Sequence, residues 1–144
     1  MSSSPILGIE HAEIDFIMLA DWAETINGKL YIQGGGWDRK VVVPGQPTDF
    51  TIVASIVIPW NATNQPHEFS IAIESEDGTA IMPPLSGSAT VGRPPSARPG
   101  QDFRTQVAAK IGGVQLPALG TYRVAMTLNG DITKSAAFYA VAQL

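Results

Sequence analysis

Hydrophobic side chains recur at every second residue in segment after segment of this chain, and that period most restricts what it can fold into. A strand sends successive side chains to opposite faces, so alternation builds a sheet with one dry face; a helix would need a 3.6-residue period. From Asp49 to Ile58, Phe50, Ile52, Ala54, Ile56 and Ile58 share one face, with Thr51 and Ser55 on the other. From His67 to Ser75, Phe69, Ile71 and Ile73 oppose Glu68, Ser70 and Glu74. Phe103, Val107 and Ile111 oppose Asp102, Arg104, Gln106 and Lys110, and Tyr122, Val124, Met126 and Leu128 oppose Arg123 and Thr127. Each of these four strands keeps one wet face, as antiparallel sheets permit.

Other segments alternate less cleanly. Ala12 to Asp21 places Ile14, Phe16, Met18 and Ala20 on one face and Ile17 and Leu19 on the other, which predicts cover on both sides of its second half. Lys29 to Gln33 and Trp37 to Val43 are strand-like, and Gly34-Gly35-Gly36 between them predicts a bulge or sharp bend. Ile132 to Ala142 predicts a final strand and an exposed edge, with Lys134 its one charge. Asn27-Gly28, Asp77-Gly78 and Asn129-Gly130 supply hairpin turns, because both residue types tolerate positive φ. No window of helical length carries an apolar stripe; Asp21 to Ile26 could make one turn at most.

These signals predict an all-β fold: a two-sheet antiparallel β-sandwich of about eight or nine strands, immunoglobulin-like or C2-like in topology. One domain spans 1–144, with 1–8 a flexible N-terminus and 83–100 a loop rich in proline, glycine and arginine that holds at most one short strand, Ser86 to Val91. A length of 144 residues, 44% of them hydrophobic and only 15% charged, is enough to bury one core and unlike a disordered chain.

Charge and residue usage exclude several chemistries. Nine basic residues against 13 acidic give a net charge of −4, and no Lys/Arg cluster offers the counterion-displacing surface that nucleic acid requires. The absence of cysteine removes disulfides, zinc–thiolate sites and thiol nucleophiles together. No apolar run is long enough for a membrane span, and Met1 to Pro5 lacks the pattern of a secretion signal, so a cytoplasmic location is expected. The Asn61-Ala62-Thr63 sequon then carries no meaning.

Residues that could carry chemistry have plainer roles that fit better. His11 and His67 stand at strand starts with no nucleophile or carboxylate at motif spacing, so strand-end packing is preferred to catalysis. Gly34-Gly35-Gly36 lacks the lysine and helix that make a glycine loop a phosphate cradle. Glu74, Glu76 and Asp77 supply hard oxygens near a turn, but calcium takes six or more, and a solvated hairpin explains them better. Trp37 and Trp60 suit packing, while Trp22, between Asp21 and Ala23-Glu24, is the tryptophan expected at the surface.

Three stretches together carry a family resemblance. They are Leu19-Ala20-Asp21 with Gly28-Lys29-Leu30-Tyr31-Ile32-Gln33-Gly34-Gly35-Gly36-Trp37-Asp38; Ile58-Pro59-Trp60-Asn61 through Thr63-Asn64 to Glu76-Asp77-Gly78; and Gly120-Thr121-Tyr122 with Phe138. The chain resembles a family of small bacterial proteins classed as a domain of unknown function. The resemblance implies a β-sandwich and a bacterial source; it implies no activity.

The functional expectation is a non-catalytic structural or protein-interaction module, in self-association, with a protein partner, or within a larger bacterial or phage assembly. Candidate contact residues are Arg93 and Arg98 in the loop, Trp22, and Lys134 on the last strand. No cofactor, metal, nucleic acid or membrane is expected, and no small-molecule ligand is evident. The alternative is a sandwich binding sugar, or calcium and lipid, with an enzyme third.

Overall fold

The computed structural model describes residues 11–144. The expected flexible N-terminus, 1–8, lies outside them. The described residues form nine strands: β1 (Glu13–Ile26), β2 (Lys29–Gly35), β3 (Arg39–Val41), β4 (Pro47–Ile58), β5 (His67–Ser75), β6 (Leu85–Ala89), β7 (Phe103–Gln115), β8 (Gly120–Leu128) and β9 (Ile132–Val141). One 3-10 turn, Trp60–Ala62, is the sole helical element among these residues. The strands make two sheets, one in the order β2-β1-β4-β7 and the other β3-β9-β8-β5-β6. All pairs are antiparallel except β3–β9, which is parallel, so the expectation of purely antiparallel sheets fails at that edge.

The alternation translates directly into the shared core. Ile52, Ala54, Ile56 and Ile58 of β4 meet Ile71 and Ile73 of β5, Val124, Met126 and Leu128 of β8, and Phe138 of β9 in one buried cluster drawn from both sheets. Each large apolar side chain buried there contributes about 1.5–3 kcal/mol. Phe69, Phe103 and Val107 stay partly exposed because they border the sheet edges; Phe69 lies across Gly87 of edge strand β6, and Phe103 and Val107 belong to edge strand β7.

β1 departs from simple alternation. A register shift between Ile14 and Phe16 moves the strand by one residue, so that Ile14, Ile17 and Leu19 join the main core. Phe16 and Met18 then turn outward into a second, small cluster with Ala20, Ala23, Val53, Leu30 and Ala108. The face expected to hold Ile14, Phe16, Met18 and Ala20 together is split at this bulge. β1 also runs on through Asp21–Ile26, where a helical turn was the alternative.

The glycine triplet ends β2 and starts a crossing to the other sheet. Gly34 and Gly36 have φ of 60° and 81°, and the Gly36 N–H donates to Leu19 O at 2.8 Å, closing an irregular end to the β1–β2 ladder. A side chain at Gly34 would collide with the Asp21 carboxylate. Trp37 follows and fills the space between the sheets, edge-on to Phe50 (5.9 Å) and Phe138 (6.0 Å). The 83–100 stretch is only partly irregular, since β6 occupies Leu85–Ala89 and pairs with β5.

Candidate functional site

Three regions concentrate polar or exposed groups, and two are held by contacts within the chain. The first lies past the end of β4. Arg93 stacks its guanidinium 3.8 Å from the centre of the Trp60 ring, donates from Nε to Thr63 Oγ1 at 2.7 Å and from Nη2 to Trp60 O at 2.7 Å. Thr63 Oγ1 itself donates to Trp60 O, and Asn64 N–H reaches Val91 O. The loop arginine is thus a clamp on the 3-10 turn. Next to it His67 is buried, with Nε2 at 2.7 Å from Ala62 O and Nδ1 at 3.0 Å from Asn129 Nδ2. Nε2–H donating and Nδ1 accepting satisfies both nitrogens, which is the chemistry of a structural histidine rather than a free base.

The second region is an open groove of about 490 Å3 between the β5–β6 turn and the β7–β8 loop, lined by Ser75, Thr79, Ile81, Pro117, Leu119 and Tyr122 among others. Of its two lining carboxylates, Glu76 and Asp77, the second is bonded locally, and Glu74 beside the groove is paired. Asp77 accepts from Ser75 Oγ and Thr79 N–H, and these bonds hold its carboxyl below the usual 3.8. Glu74 pairs with Arg123 at 3.2 Å. Among the described residues no three His, Cys, Asp or Glu side chains gather as a metal site would need. Tyr122 donates its hydroxyl to Ala118 O (2.7 Å) and accepts from Ala118 N–H (3.2 Å), tying the loop to the start of β8.

The third region is the β1–β2 hairpin, at the edge of its sheet. Its turn, Asn27-Gly28, has both residues at positive φ, as a two-residue hairpin demands. Ile26, Tyr31 and Ile32 are exposed at 43%, 47% and 37%, and every residue of β2 except half-buried Leu30 is exposed. On the face carrying Leu30 and Ile32 the strand adjoins the Ala20–Ala23–Val53 cluster. Apolar surface coincides here with a strand edge that is unpaired among the described residues.

The family match covers nearly all of this framework, running over residues 15–141 from inside β1 to the last residue of β9. The chain belongs to DUF6941, a family of unknown function. No curated protein and no solved structure matches it.

The residues singled out from sequence in this DUF6941 chain do not converge. Trp22 is half-buried beside Asp21, Asp49, Thr51 and Lys110 near the start of β4, whereas Arg93 clamps the segment after its end. Lys134 donates to the backbone carbonyl of Asp15 at 2.9 Å, bridging β9 to the β1 bulge. Arg98 bonds Gln101 through its backbone only, and its guanidinium makes no ion pair among the described residues. β9 is not a simple edge: β8 flanks it throughout and β3 covers Tyr139 to Val141 on the other side. Tyr31 and Ile32 were missed as surface candidates. The available signal was that Lys29-Leu30-Tyr31-Ile32-Gln33 carries apolar residues on both faces yet holds one charge and no proline, unlike a protected edge.

No helix among the described residues is long and apolar enough to cross a membrane.

Proposed function

We propose that this chain is a non-catalytic interaction module, an immunoglobulin-like β-sandwich whose contact surface is the β1–β2 hairpin. The strand order supports the scaffold: β1, β4 and β7 correspond to the A, B and E strands, β5, β8 and β9 to C, F and G, and β3 to the short strand that runs parallel to the last one. Tyr122, bonded to the backbone four residues upstream at the start of the F-equivalent strand, matches the tyrosine corner of such sandwiches. Fold alone says nothing of function.

The observation that carries the functional reading is the coincidence on the β1–β2 hairpin of a strand edge unpaired among the described residues with exposed Ile26, Tyr31 and Ile32. Edges of this kind receive added strands, with backbone bonds for affinity and side-chain contacts for selectivity. Capture from an extract of the native host tests it. An Ile26→Lys/Tyr31→Lys bait should lose partners that wild type and a Val43→Lys control retain; identical captured sets from all three baits refute the reading.

A second reading, a small-ligand binder, is favoured by the groove between Ser75–Ile81 and Pro117–Tyr122, which is large enough for a sugar ring. A panel of saccharides and calcium in a thermal-shift assay tests it, because a ligand of the native state must raise Tm.

A further inference from the structure

The hydrogen-bond phase of the hairpin specifies what its edge can pair with. A two-residue turn with Asn27 and Gly28 at φ of 51° and 75° makes Ile26 and Lys29 a mutually bonded pair. Counting by twos along the register, Glu24–Tyr31 and Trp22–Gln33 are bonded pairs as well. Leu30 and Ile32 therefore point N–H and C=O away from β1, into the open edge. Beyond Gln33 the phase breaks, where Gly34 adopts positive φ and Gly36 N–H turns back to Leu19 O. The usable ladder is short and centred on Tyr31.

Resting on the interaction reading above, we propose that this edge pairs antiparallel with the same edge of a second copy of the chain, about a twofold axis through Tyr31. Leu30 of each copy then exchanges bonds with the partner's Ile32, about four backbone hydrogen bonds in all, and every outward group on Leu30 and Ile32 is used. The two Tyr31 residues meet as a non-bonded pair with Cα atoms about 4.5 Å apart, where aromatic side chains stabilise strand pairing. Lys29 falls opposite the partner's Gln33, so no like charges face one another. The other edges fit a twofold less well. β7 is bent where the Gly113 N–H (φ 69°) donates to Asp49, beside the register shift between Thr48 and Phe50 of β4. β3 and β6 are only three and five residues long. The pairing joins two four-stranded sheets into one continuous sheet.

Three measurements test this on the full chain. Wild type should sediment as a monomer–dimer equilibrium across a concentration series. Tyr31→Lys, which opposes two ammonium groups at the axis, and Ile32→Pro, which removes an outward N–H without touching the β1–β2 bonds, should each weaken the dimer by about tenfold or more with far-UV circular dichroism unchanged. Because the chain has no cysteine, Tyr31→Cys gives a single thiol per copy. Its Cα spacing in the dimer suits a disulfide, so with dissolved oxygen as oxidant it should convert to a linked dimer about tenfold faster than exposed Val43→Cys. A wild type that stays monomeric throughout, or a dimer indifferent to both substitutions, overturns the proposal. A monomer whose captured partner is lost on Tyr31→Lys overturns self-pairing alone and keeps the hairpin as the contact surface. Capture that is also indifferent removes both.

Discussion

Replacing Tyr122 by phenylalanine isolates one atom whose role can be worked out in advance. The ring is buried, with 3% of the residue exposed, and stacks 5.6 Å from Phe138, so phenylalanine preserves shape and apolar contact. Only the hydroxyl is lost, and with it the bond to Ala118 O and the bond from Ala118 N–H. A net hydrogen bond is worth about 0.5–1.5 kcal/mol, and a part-buried backbone group left without a partner costs about 1–3 kcal/mol. The expected loss is about 2 kcal/mol. At about 2.1 cal/mol/K of unfolding entropy per residue, a chain of this length loses roughly 3 °C per kcal/mol, hence roughly 6–7 °C in Tm. Urea titration should move the midpoint without changing the slope, since the surface exposed on unfolding is the same. Tyr122→Ala, which also removes the ring, should cost about 3–5 kcal/mol. A Tyr122→Phe loss below about 0.5 kcal/mol, typical of surface positions, would show that the loop holds itself and that the hydroxyl is no corner post.

Ile71→Ala, in the centre of β5 and 1% exposed, should cost about 2–5 kcal/mol by chemical denaturation; a near-neutral result would mean the cluster collapses around the gap. Arg93→Ala should shift the Trp60 contribution to fluorescence to longer wavelength and destabilise the chain by about 1–2 kcal/mol, with Arg93→Lys recovering little because it cannot both stack and fork. Asp77 has a folded pKa below 3.8, so its contribution is present above that value and lost as pH falls through the lower folded value; Asp77→Asn should flatten that part of the acid-denaturation curve. Asp102 has the opposite sign. Burial, with Arg104 opposing and Glu13 adding to it, raises its pKa above 3.8, so folding is disfavoured as pH rises past that value; Asp102→Asn should raise Tm at neutral pH and lose its advantage below about pH 3.8.

Fold class was legible because alternation and turn chemistry agree along most of the chain. β4, β5 and β8 have nearly all their inward residues in the main core, as a period of two dictates. What failed to show was any feature created by a shift of one residue. The bulge at Ile14–Phe16 reassigns every later side chain of β1, and no residue there is a glycine or proline that would announce it. The parallel β3–β9 pair is set by a crossover whose direction depends on Trp37 finding Phe50 and Phe138 across the core, contacts between residues far apart in sequence. Arg93 and Lys134 could be picked out as cations but not as tethers. Lys134 and one arm of Arg93 bond the backbone oxygens of Asp15 and Trp60, which leave no trace in residue identity, and the other acceptor of Arg93, Thr63 Oγ1, lies 30 residues away in sequence.

The bulge in β1 also decides which apolar residues lie beside β2. Without the shift, Phe16 and Met18 would point into the main core with Ile14, and Ile17 and Leu19 would take their place on the outward face. With it, Phe16 and Met18 join Val53 of β4, Ala108 of β7 and Leu30 of β2 on that face. Phe16, Met18, Leu30 and Ala108 pack against Ala20, Ala23 and Val53, so Ala20 and Val53 are fully buried. This second cluster anchors β2 through Leu30 but does not cover it. Ile32, one step of two residues further along, remains exposed beside the bend at Gly34, and Tyr31 and Ile26 are exposed on the opposite face. The hairpin is therefore held from one side by packing while its other edge stays open, with one lysine and no proline to discourage a neighbour. A strand so anchored loses little conformational entropy when another strand adds to it, and a short preformed ladder can bind with modest area. Of the three regions that concentrate polar or exposed groups, the loop is clamped through Arg93 and the turn is tied through Asp77, while the edge at Leu30–Ile32 keeps its outward backbone groups unpaired among the described residues.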